Sequence, residues 1–139
     1  MNYLLDTCYL SEFVKPQPDP GVVEWGRRSL GELYVSALTI GELEKGIAKL
    51  PDSARRTRLV AWMEDELLIR FRDRILAIDC DVARRWGVIQ ASAVRAGTPL
   101  PVIDALIGAT AIVHDLQVVT RNETDLLRTG VQVVNPWSR

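Results

Sequence analysis

NYLLDTCYL, residues 2–10, sets a short apolar run against an aspartate and follows it with a helical pattern. Tyr3, Leu4 and Leu5 predict a buried strand over 2–6, with Asp6 at the point where it emerges. Thr7 and the spacing of Leu10, Phe13 and Val14 predict a helix over 7–14. An acid at such a junction has two readings. Its carboxylate caps the helix by accepting a backbone N–H, or it holds a ligand at the carboxyl edge of a parallel sheet, where open α/β folds bind them. One position leaves both readings open.

The same alternation continues outward from this stretch. Further strands are predicted over 33–36 (LYVS), 75–78 (ILAI), 116–120 (LQVVT) and 131–134 (VQVV). Helices are predicted over 20–29, 39–50, 80–96, 102–114 and 122–128. Residues 53–73 read as one long amphipathic helix or a helical pair carrying Leu59, Trp62, Met63, Leu67 and Phe71. That face must be buried in the core, against a second copy or under a partner. The break KPQPDPG (15–21) separates two short helices rather than two domains. Apolar strands interleaved with helices predict an α/β fold, with a parallel central sheet covered by helices on both faces. At 139 residues the chain fits a single domain, expected over 1–139, with room for a sizeable core.

Composition excludes several classes. No apolar run reaches the roughly 20 residues of a membrane span. The start lacks a basic segment, and Asp6 interrupts its apolar run, which argues against a secretory signal. Cys8 and Cys80 are too few for a disulfide framework and lack metal-type spacing, which points to a reducing cytoplasm. A net charge of −1 gives no global attraction to nucleic acid, yet fourteen arginines stand against three lysines. They cluster at Arg27-Arg28, at Arg55, Arg56 and Arg58, at Arg70, Arg72 and Arg74, and at Arg84-Arg85. Planar guanidinium forks suit phosphate; solvated helix faces paired with acids are the plainer account.

The acids fall on one side of the predicted map. Asp6 ends the first strand, and Glu42 lies in the first turns of the helix after the second. Asp104 lies in the first turn of the helix after TPLP. Asn122 and Asp125 follow Thr120 at the end of the fourth strand. In a parallel sheet these positions share the face where strands end. Carboxylates gathered there raise one another's pKa unless a cation neutralises them. Oxygen donors without His or Cys select a hard ion such as Mg²⁺ or Mn²⁺, which polarises phosphoryl oxygens. The alternative is that Asp104 and Asp125 merely favour helix starts and Glu42 is an exposed helical residue.

LLDTCYLSE (4–12), TIGELEKGI (39–47), DALIGATA (104–111) and VVTRNETDL (118–126) resemble, in order and spacing, the signatures of PIN-domain ribonucleases. The likeness is closest to toxins of VapBC-type toxin–antitoxin modules. The ending VQVVNPW (131–137) is similar to their FitB-like branch. The resemblance implies a PIN-like fold and a Mg²⁺- or Mn²⁺-dependent endoribonuclease that hydrolyses RNA phosphodiester bonds. It implies Asp6 and Asp104 as metal ligands and Glu42 as the group that positions or deprotonates the attacking water. A fourth acid lies near Asn122 or at Asp125, with Thr7 or Thr120 orienting the site through hydroxyl hydrogen bonds. It also implies a homodimer whose cleft is filled by a cognate antitoxin. The chain departs from the family at Cys8, where asparagine is usual, and at Asn122, where some members carry an acid. These departures keep an alternative in view, a catalytically impaired module that binds RNA or a partner.

Other motifs compete for attention. ILAIDCDV (75–82) resembles the DxD entry of haloacid-dehalogenase-type phosphatases, but that chemistry needs a downstream lysine and the last lysine is Lys49. A response-regulator receiver fails on the same residue. Asp79 is better read as a helix cap. His114, the only histidine, has no nucleophile elbow with it and sits where a helix ends. Trp25, Trp62, Trp86 and Trp137 could stack bases, though their places on apolar faces favour packing.

Overall fold

Side chains along β1 (Tyr3–Leu5) alternate between two apolar layers, and the architecture follows from that division. Tyr3 and Leu5 pack with Val35 and Val119 on one side, while Leu4 joins Val118 on the other. In a computed structural model that describes residues 1–137, the sheet continues with β2 (Leu33–Ser36), β3 (Ile75–Leu76), β4 (Gln117–Val119) and β5 (Val133–Val134). Residues 138–139 of the expected domain lie outside the described residues. All pairings are parallel, in the order β3-β2-β1-β4-β5. A parallel sheet must be covered on both faces. Leu4, Val35 and Val118 are accordingly fully buried, each worth about 1.5–3 kcal/mol of transfer free energy.

One face is covered by α1 (Thr7–Glu12), α2 (Pro20–Arg28), α3 (Ala37–Ala48) and α4 (Ala54–Trp62). A π-helical turn, Met63–Leu67, and the short α5 (Leu68–Arg70) prolong α4. The opposite face carries α6 (Cys80–Arg95), α7 (Val102–Val113) and α8 (Glu123–Leu127). Small residues let α7 approach its neighbours closely. A Cβ at Gly108 would collide with the side chain of Thr129.

The predicted elements are present, with shifted limits that have local causes. Helix α3 begins at Ala37 instead of 39 because Ser36 ends β2 and caps the helix, accepting the Leu38 amide at 3.1 Å. Helix α1 ends at Glu12, so Phe13 and Val14 are exposed rather than buried on a helix face. Segment 53–73 is a single helical body with a π turn, not a pair of helices. Met63, Leu67 and Phe71 are buried, with Leu59 and Trp62 packed against the same cluster. Its apolar face is therefore largely spent inside the chain. Among the described residues no helix is long and apolar enough to cross a membrane.

The strand order matters for the site. From β1 the chain builds outward through β2 and β3, then returns to place β4 on the other side of β1. The order reverses between β1 and β4, and the crevice beyond the carboxyl ends of those strands is where ligands bind in such sheets.

Candidate active site

Asp6 leaves β1 at that reversal and begins α1. Its Oδ1 accepts the Thr7 amide at 2.9 Å, so it caps the helix. Its Oδ2 accepts the Thr120 hydroxyl at 2.8 Å, tying the residue after β1 to the residue after β4. A carboxylate has about four acceptor sites, so capping does not exhaust it. Both readings of the first acid remain compatible with its geometry. Asp6 is only 8% exposed.

Two arms extend from this centre. On one, the Thr7 hydroxyl donates to Glu42 Oε1 at 2.7 Å, reaching α3. On the other, the Asn122 amide N–H donates to Thr120 Oγ1 at 3.0 Å, and Asn122 Nδ2 approaches Asp104 Oδ2 at 3.4 Å. A continuous chain thus runs Glu42–Thr7–Asp6–Thr120–Asn122–Asp104. Cys8 lies beside its middle, with Sγ 3.5 Å from Thr120 Oγ1 and 3.9 Å from Asp6 Oδ2. The Arg121 amide donates to the same sulfur at 3.4 Å.

Asp125 stands off the chain, paired with Arg128 at 3.5 Å, yet it still acts on Asp104. Burial, first, and then the charges of Asp6, Asp125 and Glu42 push the Asp104 carboxyl above its ordinary pKa. The Asn122 amide pulls weakly the other way. Among the described residues, no three His, Cys, Asp or Glu side chains converge closely enough to cage an ion unaided. A protein cage is not required for Mg²⁺, which commonly takes one or two carboxylates and keeps several waters. Asp6 and Asp104 supply that kind of donor.

The PIN-domain family profile matches residues 3–131. The chain belongs to the PIN-domain family. This PIN domain is 35% identical to a VapC ribonuclease of Sinorhizobium fredii, over 96% of each chain. It is 37% identical to Toxin FitB of Neisseria gonorrhoeae, over 96% of this chain and 97% of that one. Among solved structures, the FitAB complex bound to the IR36 DNA fragment superposes with a TM-score of 0.91 at 36% identity, covering 99% of this chain and 96% of that one. DNA-bound VapBC from Salmonella typhimurium gives 0.76 at 27% identity, covering 98% of each. The PIN domain is thus a member of the VapC/FitB toxin group.

The residues set aside in the sequence have structural employment. Asp79 caps α6, accepting the Val82 amide at 3.0 Å, and His114 stands at the C-terminal cap of α7. Trp25, Trp62 and Trp137 pack against the first core layer, and Trp86, on α6, against the cluster that α6 shares with α7. Two features of the PIN domain escaped sequence reasoning. Glu12, 4% exposed, accepts from Lys15 at 3.0 Å, from the Asp19 amide at 2.8 Å and from Trp137 Nε1 at 3.4 Å. It fixes the 13–19 loop and the last described residues, and an acid inside the Leu10/Phe13/Val14 run was its only signal. Arg121 lies over the Trp137 ring at 4.9 Å, a pairing that sequence spacing does not reveal.

Proposed function

We propose that this PIN domain is the toxin of a toxin–antitoxin pair and hydrolyses RNA phosphodiester bonds with a bound Mg²⁺ or Mn²⁺. The supporting observation is the hydrogen-bond chain from Glu42 to Asp104 across the β1/β4 crevice, with Asp104 under repulsion from three other acids. Asp6 and Asp104 hold the ion, and Asp125 adds negative charge to the cluster. When bound, the ion supplies Lewis-acid polarisation of a phosphoryl oxygen and of water. Thr120 fixes the Asp6 carboxylate, and Asn122 orients Asp104. Thr7 holds Glu42 by one oxygen, leaving the other to accept a proton from the attacking water.

The relatives are named as a ribonuclease and a toxin, and the matched structures are complexes with antitoxins. A cognate antitoxin is therefore the protein partner we assign, with RNA the substrate, in the cytoplasm. The toxin itself is assigned as a homodimer, which light scattering tests directly: the expected mass is twice that of the chain. An antitoxin that presents a basic side chain to the acids would compete with the metal, so its affinity should fall as Mg²⁺ rises.

The decisive experiment is RNA cleavage by the purified chain with Mg²⁺, with Mn²⁺ and with EDTA, beside Asp104→Asn. Metal-dependent cleavage lost in the variant supports the proposal. Equal cleavage by both proteins overturns it. One observation favours the second reading, a binding module: Cys8 offers only a weakly hydrogen-bonding thiol to Thr120 and Asp6. RNA binding without cleavage, with cleavage appearing in Cys8→Asn, would establish that reading.

A further inference from the structure

Two cavities open on either side of α3 and meet beside Glu42. One, of about 1030 Å³, runs from Thr7 and Glu42 to Arg55 and Arg58 at the start of α4. The other, of about 630 Å³, runs from Glu42 past Lys45 and Lys49 towards Ile78. Glu42 and Gly46 are the residues that border both. A Cβ built at Gly46 meets no heavy atom within 4 Å. Packing inside the chain therefore does not require this glycine, although glycine in a helix interior is costly. Its missing side chain keeps the ridge of α3 low where the cavities join.

Lys15, at the larger cavity, pairs with Glu12 at 3.0 Å, but the other cations lining the two cavities do not pair. Among the described residues no ion pair involves Arg55, Arg58, Lys45 or Lys49. Lys45 and Lys49 sit near the C-terminal end of α3, where the helix dipole welcomes cations. Arg55 and Arg58 sit near the start of α4, where the dipole disfavours them, and no acid lies in that first turn. Two other arginines are engaged within the chain. Arg27 pairs with Glu24 at 2.6 Å, and Arg74 donates to the Leu33 and Arg70 carbonyls. Among the described residues, Glu66 is the one acid beyond Glu42 that lines either cavity. The partly buried Trp62 and the more exposed Phe13 also line the larger one, adding apolar surface suited to bases that are not already stacked in a duplex.

We propose that a single RNA strand crosses α3 over Gly46 beside Glu42, its backbone gripped by Arg55 and Arg58 on one arm and by Lys45 and Lys49 on the other. The inference rests on the nuclease reading for its substrate, and it adds a path and a polarity-independent grip. The catalytic acids then sit at the middle of a cationic track rather than at its end. Such contacts position a backbone without reading its sequence.

The test is fluorescence anisotropy with a short labelled single-stranded RNA on the full chain, in an Asp104→Asn background that prevents cutting. The double substitutions Arg55→Ala/Arg58→Ala and Lys45→Ala/Lys49→Ala should each weaken binding. Each should also flatten the salt dependence by about 0.7 per cation removed, in log K against log salt. Arg84→Ala/Arg85→Ala should change neither. Gly46→Leu should fold with a melting temperature at or above the parent's and yet lose most of its RNA affinity. An unchanged salt slope in either double variant, or undiminished binding by Gly46→Leu, overturns the path. So does RNA affinity that survives these changes while antitoxin binding falls, which would assign the track to the protein partner. With Asp104 intact and Mg²⁺ or Mn²⁺ present, RNA bound as described but never cut would defeat the nuclease reading and leave the path standing. Cutting at the wild-type rate by the same track substitutions made with Asp104 intact would do the reverse.

Discussion

Asp6 and Asp104 stand at two helix starts on the same crevice, and the fold treats them differently. Asp6 is 8% exposed and accepts hydrogen bonds at 2.9 and 2.8 Å from an amide and a hydroxyl. Asp104 lies in the first turn of a helix that has no side-chain cap, and its one side-chain hydrogen bond is 3.4 Å long. The chain compensates the charge of Asp6 with its own donors. It surrounds Asp104 with other acids instead, and that carboxyl is held above its usual pKa by burial and by their repulsion. One acid is part of the scaffold, and the other is where a bound cation would change most.

The largest expected effect does not separate them. Asp6→Asn and Asp104→Asn should both reduce metal-dependent RNA cleavage to background, since on the proposed function each removes a charged ligand of the ion. Full activity in Asp104→Asn would break the pairing and leave Asp6 alone at the site. Metal binding then sharpens it. Saturation at a hundredfold excess over Kd should stabilise the wild type by about 2.7 kcal/mol, read as a thermal shift that EDTA abolishes. The shift should vanish in Asp104→Asn; a shift of equal size there would mean the ion is held elsewhere.

Stability of the metal-free protein separates the two acids directly. Asp6→Ala removes a helix cap and leaves Thr120 with the thiol of Cys8 as its remaining side-chain neighbour. A loss of about 1–2 kcal/mol is expected by urea denaturation. Asp6→Asn should lose less, because asparagine caps as well as aspartate. Asp104→Asn should lose nothing and gain slightly. If Asp104→Asn proves as costly as Asp6→Ala, the two acids are both scaffold.

The sequence carried the alternation of strands and helices, the junction at Asp6 and the rim on which the acids fall. Those features are local: a buried strand ends, a helix begins, and the periodicity changes from two to about 3.6. What it did not carry is long-range. Thr7 finds Glu42 and Asp6 finds Thr120 across the fold, and no spacing rule announces either. The π turn at Met63–Leu67 preserves enough helical periodicity to pass as regular helix. The burial of Glu12 likewise depends on Trp137, at the far end of the described chain.

The smallest effect concerns pH and belongs to Asp104 alone. Its carboxyl lies above the ordinary 3.8 in the folded protein, with burial the largest cause and the charges of Asp6, Asp125 and Glu42 next. Between the unfolded and folded values the native state holds more proton than the unfolded one, so stability falls as pH rises through that window. Below the unfolded value both states are protonated and the penalty is absent. Above the folded value it is fully present. In EDTA, the melting temperatures of wild type and Asp104→Asn should therefore coincide at acid pH, and the variant should pull ahead as pH rises towards neutrality. The gap should stay small because Asp104 is partly exposed and water screens its neighbours. Saturating Mg²⁺ at neutral pH should close or reverse it, since the ionised carboxylate is then the favoured form. A gap that is constant across pH would show that repulsion at Asp104 is not what distinguishes it from Asp6.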